Sequence, residues 1–163
     1  MTAVSMPLSI TIVSPDDEQS RAVLRAYYHD IVGRYHGRPV TEAEIDAVLV
    51  EEPSDDLQLP DGLFWVAGEG TTVVGCAGLR LLPDGVGEVK RVFVTHQARG
   101  RGIASRLLAE VERVARARGL SRLRLDTRDD LVEARRLYAK HGYRPIPAFN
   151  DDPYAAHWLG KDL

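Results

Sequence analysis

The stretch EVKRVFVTHQARGRGIASRLL, residues 88–108, decides the fold because it joins three structural signals. Its first part, EVKRVFV, has the β-branched and aromatic content of a strand. Two glycines and three arginines follow in RGRGIASRLL, residues 99–108, at the start of an apolar stripe with helical spacing. A strand, a glycine-rich loop and a helix N-terminus form an anion site, since first-turn N–H groups lack internal partners and the helix dipole favours negative charge. We therefore expect this loop to bind phosphate.

Two other phosphate-binding motifs fit this loop less well. The P-loop pattern GxxxxGK[ST] is absent, because the loop contains no lysine. The dinucleotide fingerprint GxGxxG is satisfied at Gly100 and Gly102, but Ser105 stands at the position of its third glycine. Asp126 lies close to where a ribose-binding acid would sit, yet EVKRVFV carries too much charge for the buried central strand of a doubly wound sheet. The sequence therefore disfavours the dinucleotide-binding fold.

The hydrophobic pattern predicts strands and helices in mixed order. Apolar residues alternate in SITIV, residues 9–13, and recur at helical spacing between residues 18 and 36, while Thr41 with Glu44 predicts the capping box of a second helix. The remaining predicted elements are two strands within 64–85, a strand over 87–94, a helix over 103–118, a strand over 123–127, a helix from 129 or 130 to 142, and closing strands within 143–149 and 154–163. The order β-α-α-β-β-β-α-β-α-β-β indicates an α/β (α+β) fold rather than a fully parallel sheet.

Length and composition indicate one globular domain covering residues 1–163. The chain is 44% hydrophobic and 28% charged, as ordinary globular proteins are. Its single cysteine, Cys76, excludes an intramolecular disulfide and a multi-cysteine zinc site, and agrees with a reducing cytoplasm. No apolar run approaches the roughly 20 residues of a membrane span, and the N-terminal segment lacks a signal-peptide pattern. We therefore expect a cytoplasmic protein that does not associate with membranes.

Charge is distributed unevenly between the two halves of the chain. Residues 1–84 carry 14 acidic and 5 basic side chains, a balance of −9, whereas residues 85–163 carry 10 acidic and 16 basic ones, a balance of +6. A basic half favours a polyanionic ligand and an acidic half a cationic one, although charges that only decorate a solvated surface would look the same. The overall charge of −3 opposes a nucleic-acid partner.

Residues 88–143 resemble the GNAT family of acetyl-CoA-dependent N-acetyltransferases. That family carries [QR]xxGx[GA] between a strand and its long central helix, and both Gln97–Gly102 and the overlapping Arg99–Ala104 match this pattern. The specificity lies in combining this loop with a strand ending VFV, an amphipathic helix, a short strand and the later segment AxxLYxKxGY. The resemblance is close in the C-terminal half and limited mainly to element order in the N-terminal half. It implies a mixed, mostly antiparallel central sheet flanked by about four helices.

The resemblance also implies acetyl-CoA as cosubstrate and maps its parts onto this sequence. The pantetheine arm would pair like an additional strand with the end of the preceding strand, at Val92, Phe93 and Val94. Lys90 and Arg91 would either help to hold the phosphates or face solvent. The pyrophosphate would lie on backbone N–H groups of the loop, formed by Arg99, Gly100, Arg101, Gly102, Ile103 and Ala104.

Acetyl transfer to an amine requires a base for the ammonium and an acid for the departing thiolate. A primary alkylamine with a pKa near 10.4 is neutral in only about one molecule in 10³ at pH 7, so deprotonation is the larger obstacle. The resemblance implies Tyr138 as the acid, because it matches the family tyrosine that faces the thioester sulfur; helical spacing alone would make it core. Glu88 matches the position of a glutamate that acts as base through water in some members, and its alternative role is an ion pair with a neighbouring arginine or a solvated carboxylate.

Other residues bear on the details of the site. Leu131 stands where the family often has an asparagine that bonds the coenzyme arm. Cys76 lies in an apolar strand, as inert core cysteines do. No histidines have metal-ligand spacing, so we expect no metal. In this family the acceptor lies near the first helices, which carry Tyr27, Tyr28, His29, Tyr35 and His36, although the spacing of the three tyrosines favours core packing.

The sequence thus predicts an N-acetyltransferase in which a primary amine attacks acetyl-CoA directly in a ternary complex. The alternative is a non-catalytic acyl-CoA-binding or sensing module, which Leu131 favours and the retention of Tyr138 and Glu88 opposes. A third hypothesis is a nucleotide-binding protein that prefers NAD or ATP to coenzyme A. The acceptor, a small-molecule amine or a peptide, is not identified by the sequence, and a homodimer through the last strands, common in the family, is left open.

Overall fold

The computed structural model describes residues 6–163. The element order is the predicted one, and the capping box is confirmed because the Glu44 N–H donates to Thr41 Oγ1 at 3.2 Å. The helices and strands are β1 Leu8–Ile12, α1 Glu18–His36, α2 Glu42–Glu51, β2 Gly62–Glu69, β3 Thr72–Leu82, β4 Val86–Val94, α3 Ile103–Ala117, β5 Arg122–Thr127, α4 Val132–Lys140, β6 Arg144–Pro145 and β7 His157–Asp162.

The strands form one sheet in the order β1-β2-β3-β4-β5-β7-β6. Neighbouring strands are antiparallel except β4 and β5, which are parallel and joined through α3. A parallel pair needs such a crossover connection. The structure therefore confirms the mixed, mostly antiparallel α/β fold with four helices.

Helices cover both faces of the sheet. On one face, α3 buries Leu107, Leu108 and Val111 against residues of the strands that include Leu79 and Leu123. On the other face, a second apolar cluster places α1 against Phe64, Cys76 and Phe93 through Val23 and Leu24. Apolar burial on both sides makes the sheet a rigid support for the loops and strand ends at its edge.

The two parallel strands separate soon after they begin. Their ladder joins only Val86–Glu88 to Arg122–Arg124. Further along β4, Ala77 of β3 faces two residues, Arg91 and Val92, which is the pattern of a β-bulge. Arg91 has a φ of 56°, in the left-handed region that non-glycine residues rarely adopt. The separation and the bulge open a cleft between the C-terminal ends of β4 and β5.

The C-terminal elements are shorter than the sequence pattern predicts. The first closing strand contracts to Arg144–Pro145, because Pro145 and Pro147 supply no N–H for a longer ladder. The last strand begins at His157 instead of Tyr154. Helix α4 begins at Val132, because Leu131 has a non-helical ψ of 65°.

Candidate active site

The described residues enclose a cleft of about 1050 Å³ at the point where β4 and β5 separate. Its walls come from α1, α2, the end of β4, the loop before α3, the end of β5 and α4. The volume is at the upper end of the range for small-molecule sites. Both the glycine-rich loop and Tyr138 line this cleft, so the structure brings together two features that are far apart in the sequence.

The glycine-rich loop presents backbone to the cleft. Gly100 and Gly102 have φ values of 79° and 75°, and a Cβ added at either position would meet nothing within 4 Å. Gly102 caps α3 without a side-chain hydrogen bond, and the first intrahelical bond runs from the Arg106 N–H to the Gly102 carbonyl. The N–H groups of residues 103–105 precede that bond and have no partner within the helix. They are donors for an anion at this end of the cleft.

The two loop arginines point in different directions. Arg99 turns back over the end of β4, where its Nε donates to the Val94 carbonyl at 3.1 Å and its Nη2 lies 3.2 Å from an Asp30 carboxylate oxygen. Arg101 does not line the cleft, and its guanidinium pairs with Glu69 of β2. Of the three arginines within residues 99–108, therefore, Arg99 lines the cleft, whereas Arg101 and Arg106 do not.

The residues predicted to pair with the pantetheine arm form the free end of β4. Val92, Phe93 and Val94 all line the cleft, beyond the last residue pair that β4 forms with β5. Backbone N–H and C=O groups along that edge are strong, obligatory hydrogen-bonding groups. An extended chain laid between the two strands would find partners there.

Tyr138 reaches the cleft from α4 and is 7% exposed. Its ring packs edge-on against Tyr143, with centroids 5.8 Å apart. Burial raises the pKa of the Tyr138 hydroxyl well above its usual value, and the charges of Tyr27 and Asp126 act in the same direction. The hydroxyl therefore stays protonated and remains a hydrogen-bond donor at physiological pH.

Glu88 takes the ion-paired role. Its side chain is 5% exposed, and its carboxylate lies 3.0 Å from Arg124 Nε, 3.1 Å from Lys90 Nζ and 3.3 Å from Arg80 Nη1. The carboxylate itself does not line the cleft, although Arg80 and Lys90 do. Three cations therefore surround this one carboxylate. The geometry favours the ion-pair alternative for Glu88.

Asp126, at the end of β5, is a second carboxylate near Tyr138. It lines the cleft, and Asn150 Nδ2 donates to its Oδ2 at 2.9 Å. The Trp158 indole donates to Asn150 Oδ1 at 3.0 Å, which orients the amide so that its nitrogen faces Asp126. Within residues 6–163 no Lys, Arg or His nitrogen lies within 4.0 Å of the Asp126 carboxylate. The sequence places Asp126 at a strand end, but only the fold brings it near Tyr138.

The first helix contributes aromatic side chains to the opposite wall. Tyr27, Tyr28, Tyr35 and His36 line the cleft, whereas His29 lies outside it and pairs with Glu42. The prediction of core packing is confirmed for Tyr28, which is 1% exposed, and is wrong for Tyr35, which is 54% exposed. Tyr35 packs instead against Tyr154, with ring centroids 5.1 Å apart, at the rim of the cleft. Burial raises the pKa of Tyr27 to about 12.

The structure also shows the surroundings of Cys76 in β3 and of Lys90 and Arg91 in β4. Cys76 is 0% exposed, its thiol donates to the Arg91 carbonyl at 3.1 Å, and burial raises its pKa, as expected of an inert core cysteine. Lys90 and Arg91 line the cleft, Lys90 in the Glu88 cluster and Arg91 against the ring of Tyr28. Arg91 is therefore half-buried against α1 instead of lying on an outer face.

Three further features concern metal-binding side chains, Leu131 and the length and polarity of the helices. In the described part of the chain, no group of three or more His, Cys, Asp or Glu side chains could hold a metal ion. Leu131, at the position of the family's asparagine, lines the cleft and caps α4 without a side-chain hydrogen bond. Among residues 6–163, none of the helices is sufficiently long and apolar to traverse a lipid bilayer.

Comparison with known proteins shows the family to which this chain belongs. The model of the acetyltransferase (GNAT) family matches residues 24–143. This range contains the glycine-rich loop, the free end of β4 and Tyr138. The chain therefore belongs to the acetyltransferase (GNAT) family, a class of acyl-transferring enzymes.

Individual relatives agree with this membership. An IAA acetyltransferase of Azospirillum brasilense is 44% identical over 103 residues, which cover 60% of this chain and 66% of the relative, a little under two thirds of its length. A crystal structure from Klebsiella pneumoniae, described as an acyl-CoA N-acyltransferase, is 28% identical, covers 96% of this chain and 97% of the other, and has a TM-score of 0.74. The PaiA N-acetyltransferase from Thermoplasma acidophilum in complex with coenzyme A shares the fold, at 21% identity and a TM-score of 0.77, over 97% of this chain and 100% of that one.

Proposed function

We propose that this chain binds acetyl-CoA in the cleft and transfers the acetyl group to a primary amine. The observation that carries the proposal is the convergence of three features on one cleft: the first-turn N–H groups of α3, the edge of β4 beyond its ladder with β5, and the hydroxyl of Tyr138. They match the needs of the pyrophosphate, the pantetheine arm and the thioester sulfur. Membership in the family and the coenzyme A complex of the PaiA relative support the proposal.

The loop residues fit a pyrophosphate through backbone rather than side-chain charge. Positive φ at Gly100 and Gly102 and the open space beside both leave room for phosphate oxygens near the α3 N–H groups. Arg101 would contribute its backbone, because its guanidinium is engaged by Glu69. Pairing of the pantetheine arm with Val94 would require Arg99 to release the Val94 carbonyl.

The chemistry proposed is direct attack. The neutral amine nitrogen forms a bond to the thioester carbonyl carbon, the carbon–sulfur bond breaks, sulfur leaves with the electron pair, and the nitrogen loses one proton, ultimately to water, as the amide forms. Tyr138 would donate its hydroxyl proton or a hydrogen bond to that sulfur. A thiol pKa of roughly 8.5 means that the leaving group needs modest assistance. A protonated phenol in a low-dielectric cleft supplies it.

For the amine proton, Asp126 suits the task better than Glu88. Both are carboxylates, but the Glu88 carboxylate is surrounded by three cations, whereas Asp126 faces the cleft with a neutral amide as partner. We assign Asp126 as the group that accepts the proton, directly or through one water, and Glu88 as a structural ion-pair centre. A positioned base contributes about 10²–10⁴-fold to such a rate.

Calorimetric titration with acetyl-CoA, with NADH as the control ligand, tests the proposal first. We expect saturable micromolar binding of acetyl-CoA alone, followed by release of free thiol when primary amines are added. Binding without thiol release from any amine would instead favour the non-catalytic acyl-CoA-binding module. Absence of acetyl-CoA binding by the folded protein would refute the proposed function.

A further inference from the structure

One cation of the cleft differs from all the others. Six Lys and Arg side chains line the cleft, and five of them have a carboxylate oxygen within 4.0 Å: Arg34, Arg80, Lys90, Arg99 and Arg128. Arg91 is the sixth, and within residues 6–163 no carboxylate oxygen lies that close to its guanidinium. The absence of a counter-ion distinguishes Arg91 from its neighbours.

The backbone and its surroundings hold the Arg91 side chain in place. The left-handed φ of 56° at the bulge redirects the side chain toward α1 and the segment after α2. There its guanidinium carbon lies 5.6 Å from the centroid of the Tyr28 ring, its Nε donates to Ser54 Oγ at 3.3 Å, and its Nη2 donates to the Glu52 carbonyl at 3.4 Å. Neutral groups thus orient the guanidinium without neutralising it.

An oriented, half-buried cation has donors to spare. A guanidinium carries five N–H groups, and two of those of Arg91 are used by Ser54 and Glu52. The fork-shaped arrangement of the rest matches the two oxygens of a carboxylate. Removal of a charge from water without a partner is costly, and an anionic ligand would offset that cost.

We propose that Arg91 binds a carboxylate group of the acceptor, so that the amine acetylated by this enzyme is an amino acid or another carboxylate-bearing amine. This inference rests on the proposed acetyl transfer. The Tyr27 ring lies 4.9 Å from that of Tyr28 and 5.9 Å from that of Phe93 between centroids, and Tyr27 is within electrostatic influence of both Arg91 and Tyr138. A compact acceptor could therefore place its carboxylate at Arg91 and its amine on the Tyr138 side of Tyr27.

The nearby carboxylates of Glu52 and Asp56 do not neutralise Arg91 as ion-pair partners. Glu52 accepts a hydrogen bond from the Tyr28 hydroxyl at 3.3 Å, and Asp56 pairs with Arg80 at 2.7 Å. Both carboxylates are within electrostatic influence of Arg91, yet neither forms an ion pair with it. If Arg91 served only to balance Glu52, the enzyme would show no preference for an acidic acceptor.

Matched pairs of acceptors test the inference. Each of the standard L-amino acids is compared with its carboxamide at saturating acetyl-CoA, with release of coenzyme A thiol as the readout. The amide has the less basic amine, which is more often neutral at pH 7, so it is the better substrate where no carboxylate is recognised. We expect at least one acid to exceed its amide in kcat/KM by about 10- to 100-fold, the usual range for a charge-assisted hydrogen bond.

Variants then connect that preference to Arg91. Arg91→Gln should remove most of the preference through a higher KM for the acid, and Arg91→Lys should retain part of it because the charge remains while the fork is lost. Arg113→Gln is the matched control, since Arg113 lies on the outer surface of α3, is 67% exposed and pairs with Glu110. Its preference should equal that of the wild type.

Several results would contradict the proposed carboxylate site at Arg91. Amides that match or exceed every acid in the wild type, or a preference that survives in Arg91→Gln, would overturn the carboxylate site. So would the absence of turnover with every acid while calorimetry still shows acetyl-CoA binding. A failure of coenzyme binding itself would instead contradict the proposed function.

Discussion

The proposed coenzyme side and the proposed acceptor side of the cleft are built from different kinds of groups. On the coenzyme side, backbone groups of residues 103–105 and of the free β4 edge face the cleft, and glycines keep the approach open. On the acceptor side, the facing groups are side chains from four segments: Tyr28 of α1, Glu52 after α2, Arg80 of β3 and Arg91 of β4. Backbone groups suit a ligand that is the same throughout a family, whereas side chains can be exchanged without disturbing the fold. Substitutions on the two sides should therefore affect different kinetic constants.

The largest effect is expected at the backbone of the coenzyme side. Gly102→Glu introduces a bulky anion into open space beside the α3 N–H groups, where phosphate oxygens would lie. Like charges in contact cost several kcal/mol, so acetyl-CoA should bind at least about 10³-fold more weakly in a calorimetric titration.

Gly119→Glu separates that effect from backbone strain. Gly119 also has a positive φ, 80°, and open space around its Cβ position, but it lies at the far end of α3. This control should lose a similar amount of stability and still bind acetyl-CoA normally. Equal loss of binding in both variants would show that strain in α3, not the loop, is responsible.

The next effect is expected at the Tyr138 hydroxyl. Tyr138→Phe removes a proton donor and leaves the ring, so kcat should fall by about 10²-fold with little change in the dissociation constant of acetyl-CoA. Tyr143→Phe is the control, because its ring touches that of Tyr138 but its buried hydroxyl has no hydrogen-bond partner within residues 6–163. A kcat for Tyr138→Phe equal to the wild type would exclude Tyr138 from the chemistry.

The same contrast explains what could be predicted from the sequence. The positions of the glycine-rich loop, α3 and α4 could be predicted from local signals in the sequence, namely glycines, helical spacing and a motif within residues 88–143. The element order follows for the same reason. In the structure, the two loop glycines have the positive φ that favours glycine. Backbone-built sites are encoded by contiguous residues, so their positions can be recognised before the fold is known.

Side-chain-built sites lack such a signal. Nothing in the sequence distinguishes Arg91, without a counter-ion, from Lys90, which pairs with Glu88, because the bulge that redirects Arg91 arises from the register of β3 against β4. The same holds for Arg101, whose partner Glu69 is remote in the chain. Asp126 is likewise marked by its contact with Asn150, which depends on an irregular segment that the strand pattern does not describe.

A smaller effect on kcat is expected at Asp126, the carboxylate near Tyr138. Asp126→Asn keeps the size of the side chain and removes its capacity to take a proton, so kcat should fall by about 10- to 10²-fold at pH 7. The deficit should shrink as pH approaches the amine pKa near 10, because the amine is then already neutral. Asp129→Asn, on a neighbouring side chain that is 77% exposed and outside the cleft, should change neither value. A deficit independent of pH would contradict the assignment of Asp126 as base.

The smallest kinetic effect, and the largest on stability, is expected at Glu88. Glu88→Gln leaves Arg80, Lys90 and Arg124 around a neutral amide. Removal of one partner from a fully buried pair costs about 3–5 kcal/mol, but these cations are 34%, 22% and 29% exposed and can be partly solvated, so about 1–3 kcal/mol is expected in urea unfolding. Glu110→Gln, which interrupts a surface pair with Arg113, should cost less than about 0.5 kcal/mol.

The kinetics of the same variant decide between the two roles of Glu88. A base would contribute about 10²–10⁴-fold, whereas an ion-pair centre should alter kcat by less than about threefold at temperatures where the variant is folded. The deficit of a lost base would also diminish at high pH, as for Asp126→Asn, while a structural loss would not depend on the ionisation of the amine. A large, pH-dependent fall in kcat with unchanged stability would restore Glu88 as the base. Because Glu88 joins β3, β4 and β5 through Arg80, Lys90 and Arg124, the expected result is that it holds the strands at the point from which β4 and β5 diverge.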